Sequence, residues 1–115
     1  MNKYNAKKTE YKGIVYDSKW EANRAYELDM LERSGHIRDL QRQVRFILQE
    51  EYINNRGQKI RPISYIADFV YSDKTGQKYV EDTKSPATRT AEYRIKKKMF
   101  EFRYKDYLFI ERLKG

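Results

Sequence analysis

The 115-residue chain has no cysteine, a single histidine, only two prolines and one tryptophan. The first absence removes disulfides and Cys-ligated zinc or iron–sulfur sites, and His36 alone cannot build a multi-His metal site or a His-dependent triad within one chain. No stretch has the length and apolarity of a membrane span or a signal-peptide core, so a soluble, cytoplasmic protein with no membrane partner is expected. Hydrophobic residues make up 39% and charged residues 37%, which leaves one small core under a densely charged surface. Eleven tyrosines and five phenylalanines supply much of that core.

What is abundant is positive charge. Twenty-five Lys and Arg face seventeen Asp and Glu, a formal net charge of +8, and such an excess favours a polyanionic partner, most commonly nucleic acid. Between residues 84 and 105 stand Lys84, Arg89, Arg94, Lys96, Lys97, Lys98, Arg103 and Lys105 against only Glu92 and Glu101. An exposed helix usually interleaves both signs, so this concentration reads as contact with a phosphate backbone, which positions a duplex without reading its bases.

Residues 65–84 (YIADFVYSDKTGQKYVEDTK) are the stretch around which the chain is organised. Two strand-like runs flank a turn-forming segment containing Gly76, so they should pair as a hairpin. Alternation places Ile66, Asp68 and Val70 on one face of the first run, with Ala67, Phe69 and Tyr71 on the other. In the second run Val80, Asp82 and Lys84 share a face, and Tyr79, Glu81 and Thr83 point away. Asp68 can then approach Asp82 and Lys84. Two carboxylates among apolar neighbours are costly unless paired or bound to a cation, and together they form a hard oxygen site suited to Mg²⁺ or Mn²⁺. Lys84 could orient a water for attack on phosphorus, or simply neutralise Asp82 as a strand-end ion pair. Glu81 competes with Asp82, and a β-bulge would exchange them.

The remaining elements follow in order. Residues 1–8 form a basic arm expected to be mobile, and 9–115 a single domain. Residues 9–16 form a small hairpin around Lys12-Gly13. Ser18 followed by Glu21 is a capping-box pattern opening a helix that Gly35 closes, with Ala22, Ala25, Leu28 and, at the margin, Trp20 and Leu31 as its apolar stripe. Glu21 has two readings, as a cap on the Ser18 backbone or as a third carboxylate near Asp68 and Asp82. Residues 36–42 read as a connector and 43–51 as a strand led by Gln43. A turn at Asn54 to Gly57 follows, and Pro62 should mark a strand beginning. A second helix starting near Thr88 or Thr90 carries Ala91, Ile95, Met99 and Phe102 as a stripe, and residues 107–113 close as an apolar strand. The order is αβββαβ after a short N-terminal hairpin.

Asp68, thirteen intervening residues, then Asp82-Thr83-Lys84 resembles the PD-(D/E)xK nuclease signature, and the order of elements resembles that superfamily's core throughout. The chain is similar, over about residues 9–110, to a family of small phage-encoded proteins assigned to it. The resemblance implies an α+β, restriction-endonuclease-like fold with a central mixed sheet flanked by two helices. It also implies a metal-dependent DNA endonuclease in phage replication, recombination or processing. Asp68 and Asp82 would bind Mg²⁺, with Mn²⁺ able to substitute. Lys84 would be the catalytic lysine and Glu21 an accessory acid. The chain departs from the signature in having Ala67 before Asp68 and Asp82 in place of the commoner Glu. A Holliday-junction resolvase is one attractive form, and cutting two strands suggests a homodimer. The rivals are a non-catalytic nucleic-acid-binding module on the same scaffold and a phage protein that binds a host protein.

Overall fold

A computed structural model describes residues 8–113; apart from Lys8, the basic arm expected over residues 1–8 lies outside the described residues. Strands β1 (Thr9–Tyr11) and β2 (Ile14–Tyr16) form the expected antiparallel hairpin. Its turn places Lys12 and Gly13 at positive φ. Helix α1 (Lys19–Arg33) starts where Ser18 accepts a hydrogen bond from the Glu21 backbone N–H. It closes at Gly35 (φ +81°), whose N–H and that of His36 cap the carbonyls of Glu32 and Leu31. Glu21, Ala22, Ala25 and Leu28 form its buried face.

The long strand β3 (Ile37–Gln49) follows directly, so residues 36–42 are not a connector. They escaped the strand pattern because a register shift lies between Arg38 and Gln41, and both Asp39 and Gln43 hold positive φ. A two-residue hairpin, β4 (Tyr52–Ile53) and β5 (Lys59–Ile60), encloses the Asn54 to Gly57 turn. Pro62 immediately precedes β6 (Ile63–Asp73), which turns into β7 (Lys78–Lys84). Thr90 caps α2 (Ala91–Arg103) by accepting from the Tyr93 N–H, and β8 (Tyr107–Leu113) ends the described chain.

Four strands make one mixed sheet in the order β3-β6-β7-β8, antiparallel except for the β7–β8 pair. The parallel pair is the one joined through α2, as a crossover connection requires. Two hydrophobic clusters stabilise it. Tyr16, Ala22, Ala25, Leu28, Phe69 and Tyr71 pack under α1, while Phe46, Tyr65, Ala67, Val80, Tyr93 and Phe100 pack under α2. Ala67 and Phe69 therefore belong to different cores, although strict alternation puts them on one face. The ladder changes faces at Asp68, opposite the positive-φ residue Gln43, since Arg42 and Val44 pair with Phe69 and Ala67.

The exposed and buried sides of α2 also differ from the expected stripe. Ile95 is 59% and Phe102 78% exposed, whereas Tyr93 and Phe100 are buried. The lysines at the edge of that face lay their ends over rings, with Lys97 Nζ 5.0 Å from the Phe109 centroid. Among the described residues no helix is long and apolar enough to cross a membrane.

Candidate active site

Pairing between β6 and β7 runs from Ser72 with Lys78 to Phe69 with Glu81. Beyond that point the strands part, and the Thr83 N–H, with no β6 partner, donates instead to Asp68 Oδ2 at 2.8 Å. The Thr83 hydroxyl donates to the same oxygen at 2.9 Å. Asp68 Oδ1 is left with only a 3.5 Å approach from Gln43 Nε2. The fork thus holds one carboxylate by one oxygen and leaves the other nearly unengaged.

Asp82 faces α2 across this fork and is 1% exposed. Tyr65 O–H donates to its Oδ2. Lys84 Nζ lies 3.2 Å from Oδ1, yet that oxygen has no aligned hydrogen-bond donor. The ammonium also sits 4.5 Å from the Tyr93 ring centroid, which helps to hold it. Burial and the neighbouring Asp68 push the Asp82 carboxyl up to about 8, against the opposing pull of Lys84. Burial pushes Glu21 up to about 7, with Asp68 and Asp17 adding to it and Arg42 and Lys84 opposing. Tyr65 is raised well above the usual phenol range by burial and by Asp82, so it keeps its proton and donates it.

All four candidate residues, Glu21, Asp68, Asp82 and Lys84, therefore share one electrostatic centre drawn from α1, β6 and β7. The Ser18 hydroxyl caps the Glu21 backbone N–H, but the Glu21 carboxylate makes no hydrogen bond back to Ser18 among the described residues, so capping does not account for this side chain. Glu81 lies on the other sheet face, where Arg24 Nε and Nη2 donate to its two oxygens at 2.6 and 2.9 Å and Tyr71 O–H joins them. It is committed to that network, and alternation separates it from Asp82 as expected.

Among the described residues, no group of three or more acidic or His side chains converges closely enough to cage a divalent ion. Mg²⁺, however, keeps several waters and needs only one or two carboxylates. An Asp68 oxygen held only by the long Gln43 contact and a buried Asp82 oxygen faced by Lys84 without an aligned hydrogen bond fit that requirement, with Glu21 nearby. A cleft of about 300 Å³, lined in part by Ser64, Ile66, Asp82, Lys84, Thr90 and Lys96, gives access from the α2 side.

The basic residues of α2 divide into two sets. Arg89 is tied to Glu111 at 2.7 Å, Lys96 to Glu92 at 3.5 Å and Lys97 to Glu101 at 3.3 Å. Arg94, Lys98 and Lys105 are exposed with no carboxylate partner among the described residues. Sequence reasoning missed Tyr65, Thr83 and Arg24. Tyr65 offered only the faint signal of a polar aromatic near Asp68, and Arg24 none, because its partner is 57 residues away.

The raised carboxyls have a measurable consequence. The folded protein retains protons on Glu21 and Asp82 that the unfolded chain releases at ordinary carboxylate values, so metal-free stability falls as pH rises from about 4 to about 8. Thermal melting in EDTA is expected to follow that slope, and Mg²⁺ to raise the melting temperature more at about pH 8.5 than at about pH 5.5, since it binds the ionised form. A flat or rising EDTA profile would contradict the assignment.

These features define a small mixed α+β domain with a buried acid–lysine centre at a strand fork. The chain belongs to the DUF1064 family, described as a protein of unknown function, whose family model matches residues 1–114. Comparisons with curated proteins and with solved structures give no match.

Proposed function

We propose that the protein is a metal-dependent DNA endonuclease of the PD-(D/E)xK type, with a restriction-endonuclease-like core. The observation that carries this reading is the convergence of Asp68, Asp82 and Lys84 at the β6–β7 fork, where the buried Asp82 Oδ1 has Lys84 Nζ at 3.2 Å but no aligned hydrogen bond.

Asp68 and Asp82 would hold Mg²⁺ or Mn²⁺, with Glu21 on α1 available as a further acid. When bound, the ion supplies a Lewis acid that activates water and offsets charge on the departing oxygen. Tyr65 fixes Asp82 by Oδ2, and Thr83 fixes Asp68 by Oδ2; each leaves its Oδ1 for coordination. Lys84 orients the attacking water and opposes the negative charge that builds at the phosphate. Arg94, Lys98 and Lys105, joined by Lys96 at the cleft, hold the DNA backbone. Arg89 and Lys97 contribute less, being engaged with Glu111 and Glu101.

The test is cleavage of labelled single-stranded, duplex, flap and four-way-junction DNA with Mg²⁺, Mn²⁺ or EDTA, comparing wild type with Asp68→Ala and Lys84→Ala. Metal-dependent products lost in both variants are expected. Retained binding without cleavage by the wild type would replace the enzyme with a non-catalytic nucleic-acid-binding module.

A further inference from the structure

Arg42 lies on β3 beside Gln43, the residue opposite Asp68, on the α1 side of the acidic centre. Its guanidinium carbon is 4.8 Å from the centroid of the buried Tyr16 ring, and the side chain is half-buried. Among the described residues no acceptor hydrogen-bonds it, and its Nε is buried without a partner. It also lines a second, smaller cleft of about 180 Å³ with Tyr16, Leu40 and Phe69. Arg24, on α1, is by contrast spent on Glu81.

A guanidinium has five N–H donors and no way to lose its charge, so a half-buried one without an acceptor is expensive unless a ligand supplies the acceptors. Stacking on Tyr16 fixes the plane and lowers the entropy lost when a tetrahedral anion is gripped by two parallel N–H groups. Arg42 stacks on Tyr16 of the core under α1 and Lys84 on Tyr93 of the core under α2, and Glu21 feels both charges. A strand of nucleic acid crossing the centre would bring one phosphate to the metal and a neighbouring phosphate to the cation beyond it.

We infer that Arg42 is a phosphate-binding residue, gripping the backbone next to the scissile phosphodiester on the α1 side, opposite the cleft that Lys84 and Lys96 line. The inference rests on the nuclease reading and adds a second anchor to it, so that the substrate strand runs from the α2 cleft across the fork to β3. An alternative duty, compensating the charge of Glu21 alone, would require no ligand.

Binding of the best substrate, measured by fluorescence anisotropy in Ca²⁺ or EDTA across a salt series, separates the two. Arg42→Gln is expected to weaken binding about tenfold and to reduce the slope of log Kd against log salt by about one, while Arg42→Lys keeps the slope. Arg56→Gln, in the exposed β4–β5 turn, is the control and should leave both unchanged. Melting curves establish that each variant is folded at the assay temperature. If the wild type cleaves and Arg42→Gln binds with wild-type affinity and slope, Arg42 is only a charge partner of Glu21 and the inference fails alone. A wild type that neither binds nor cleaves any nucleic acid overturns both the inference and the nuclease reading.

Discussion

Asp82→Asn is expected to lower cleavage at least about a hundredfold and yet to melt at a higher temperature than the wild type in EDTA at about pH 9. The wild-type fold must ionise a carboxyl that is 1% exposed and beside Asp68. Asparagine has the same shape, keeps an acceptor for the Tyr65 O–H and carries no charge at any pH. Its amide loses the attraction of Lys84, which subtracts from the gain, but that attraction already fails to prevent the upward shift of Asp82. At about pH 3, where Asp82 is protonated in the folded and the unfolded chain alike, the difference in melting temperature should nearly vanish, and it should open progressively as pH rises to about 8. The two outcomes discriminate sharply. A variant that melts below the wild type at both pH values would make Asp82 a structural partner of Lys84 rather than a ligand held ready for a cation.

The second large effect lies on the opposite face of the same strand. Arg24→Met leaves Glu81, with no exposed surface, facing Tyr71 and an Arg112 Nε 3.8 Å away. Removing one partner of a buried ion pair costs about 3–5 kcal/mol, because the other charge is stranded. Urea denaturation should show that loss as a lower midpoint at unchanged m-value. The double variant Arg24→Met with Glu81→Met should recover most of it, since neither charge then needs a partner. A single-variant cost below about 1 kcal/mol would mean that the pair behaves as a solvated surface bridge. Glu21 precedes Arg24 by three residues on α1, so the same pair also sets where Glu21 stands. A metal affinity reduced in Arg24→Met, measured on the folded fraction, is part of the same expectation.

Much of the centre was legible because its residues are close in sequence and obey a short period. Asp68, Asp82 and Lys84 lie on one hairpin, and alternation along β7 correctly separated Asp82 from Glu81. The helix caps were legible too, as Ser18 and Gly35 flank α1 in the pattern that backbone geometry requires. The errors share a cause. Alternation assumes an unbroken strand, and a glutamine at positive φ carries no compositional mark, so neither the face change at Asp68 nor the strand character of residues 37–42 could be read. In α2 the spacing of Ile95 and Phe102 suggested a stripe, but packing selected Tyr93 and Phe100, whose rings meet Phe46, Tyr65 and Phe109 in three dimensions. Arg24 meets Glu81 and Arg42 meets Tyr16 across long stretches of sequence, for which one chain offers no periodic signal.

The change of face along the β3–β6 ladder has a mechanical consequence. One continuous ladder serves two half-cores, with Phe69 and Tyr71 beneath α1 and Tyr65 and Ala67 beneath α2. Such a body has a seam, and cooperative units of differing stability tend to divide along seams of this kind. The acid–lysine centre straddles it, drawing Glu21 from one half and Asp82 and Lys84 from the other. Local opening of the α1 half would withdraw Glu21 while β6, β7 and α2 stay zipped, so the centre can be taken apart and reassembled without unfolding the hairpin that carries its essential groups.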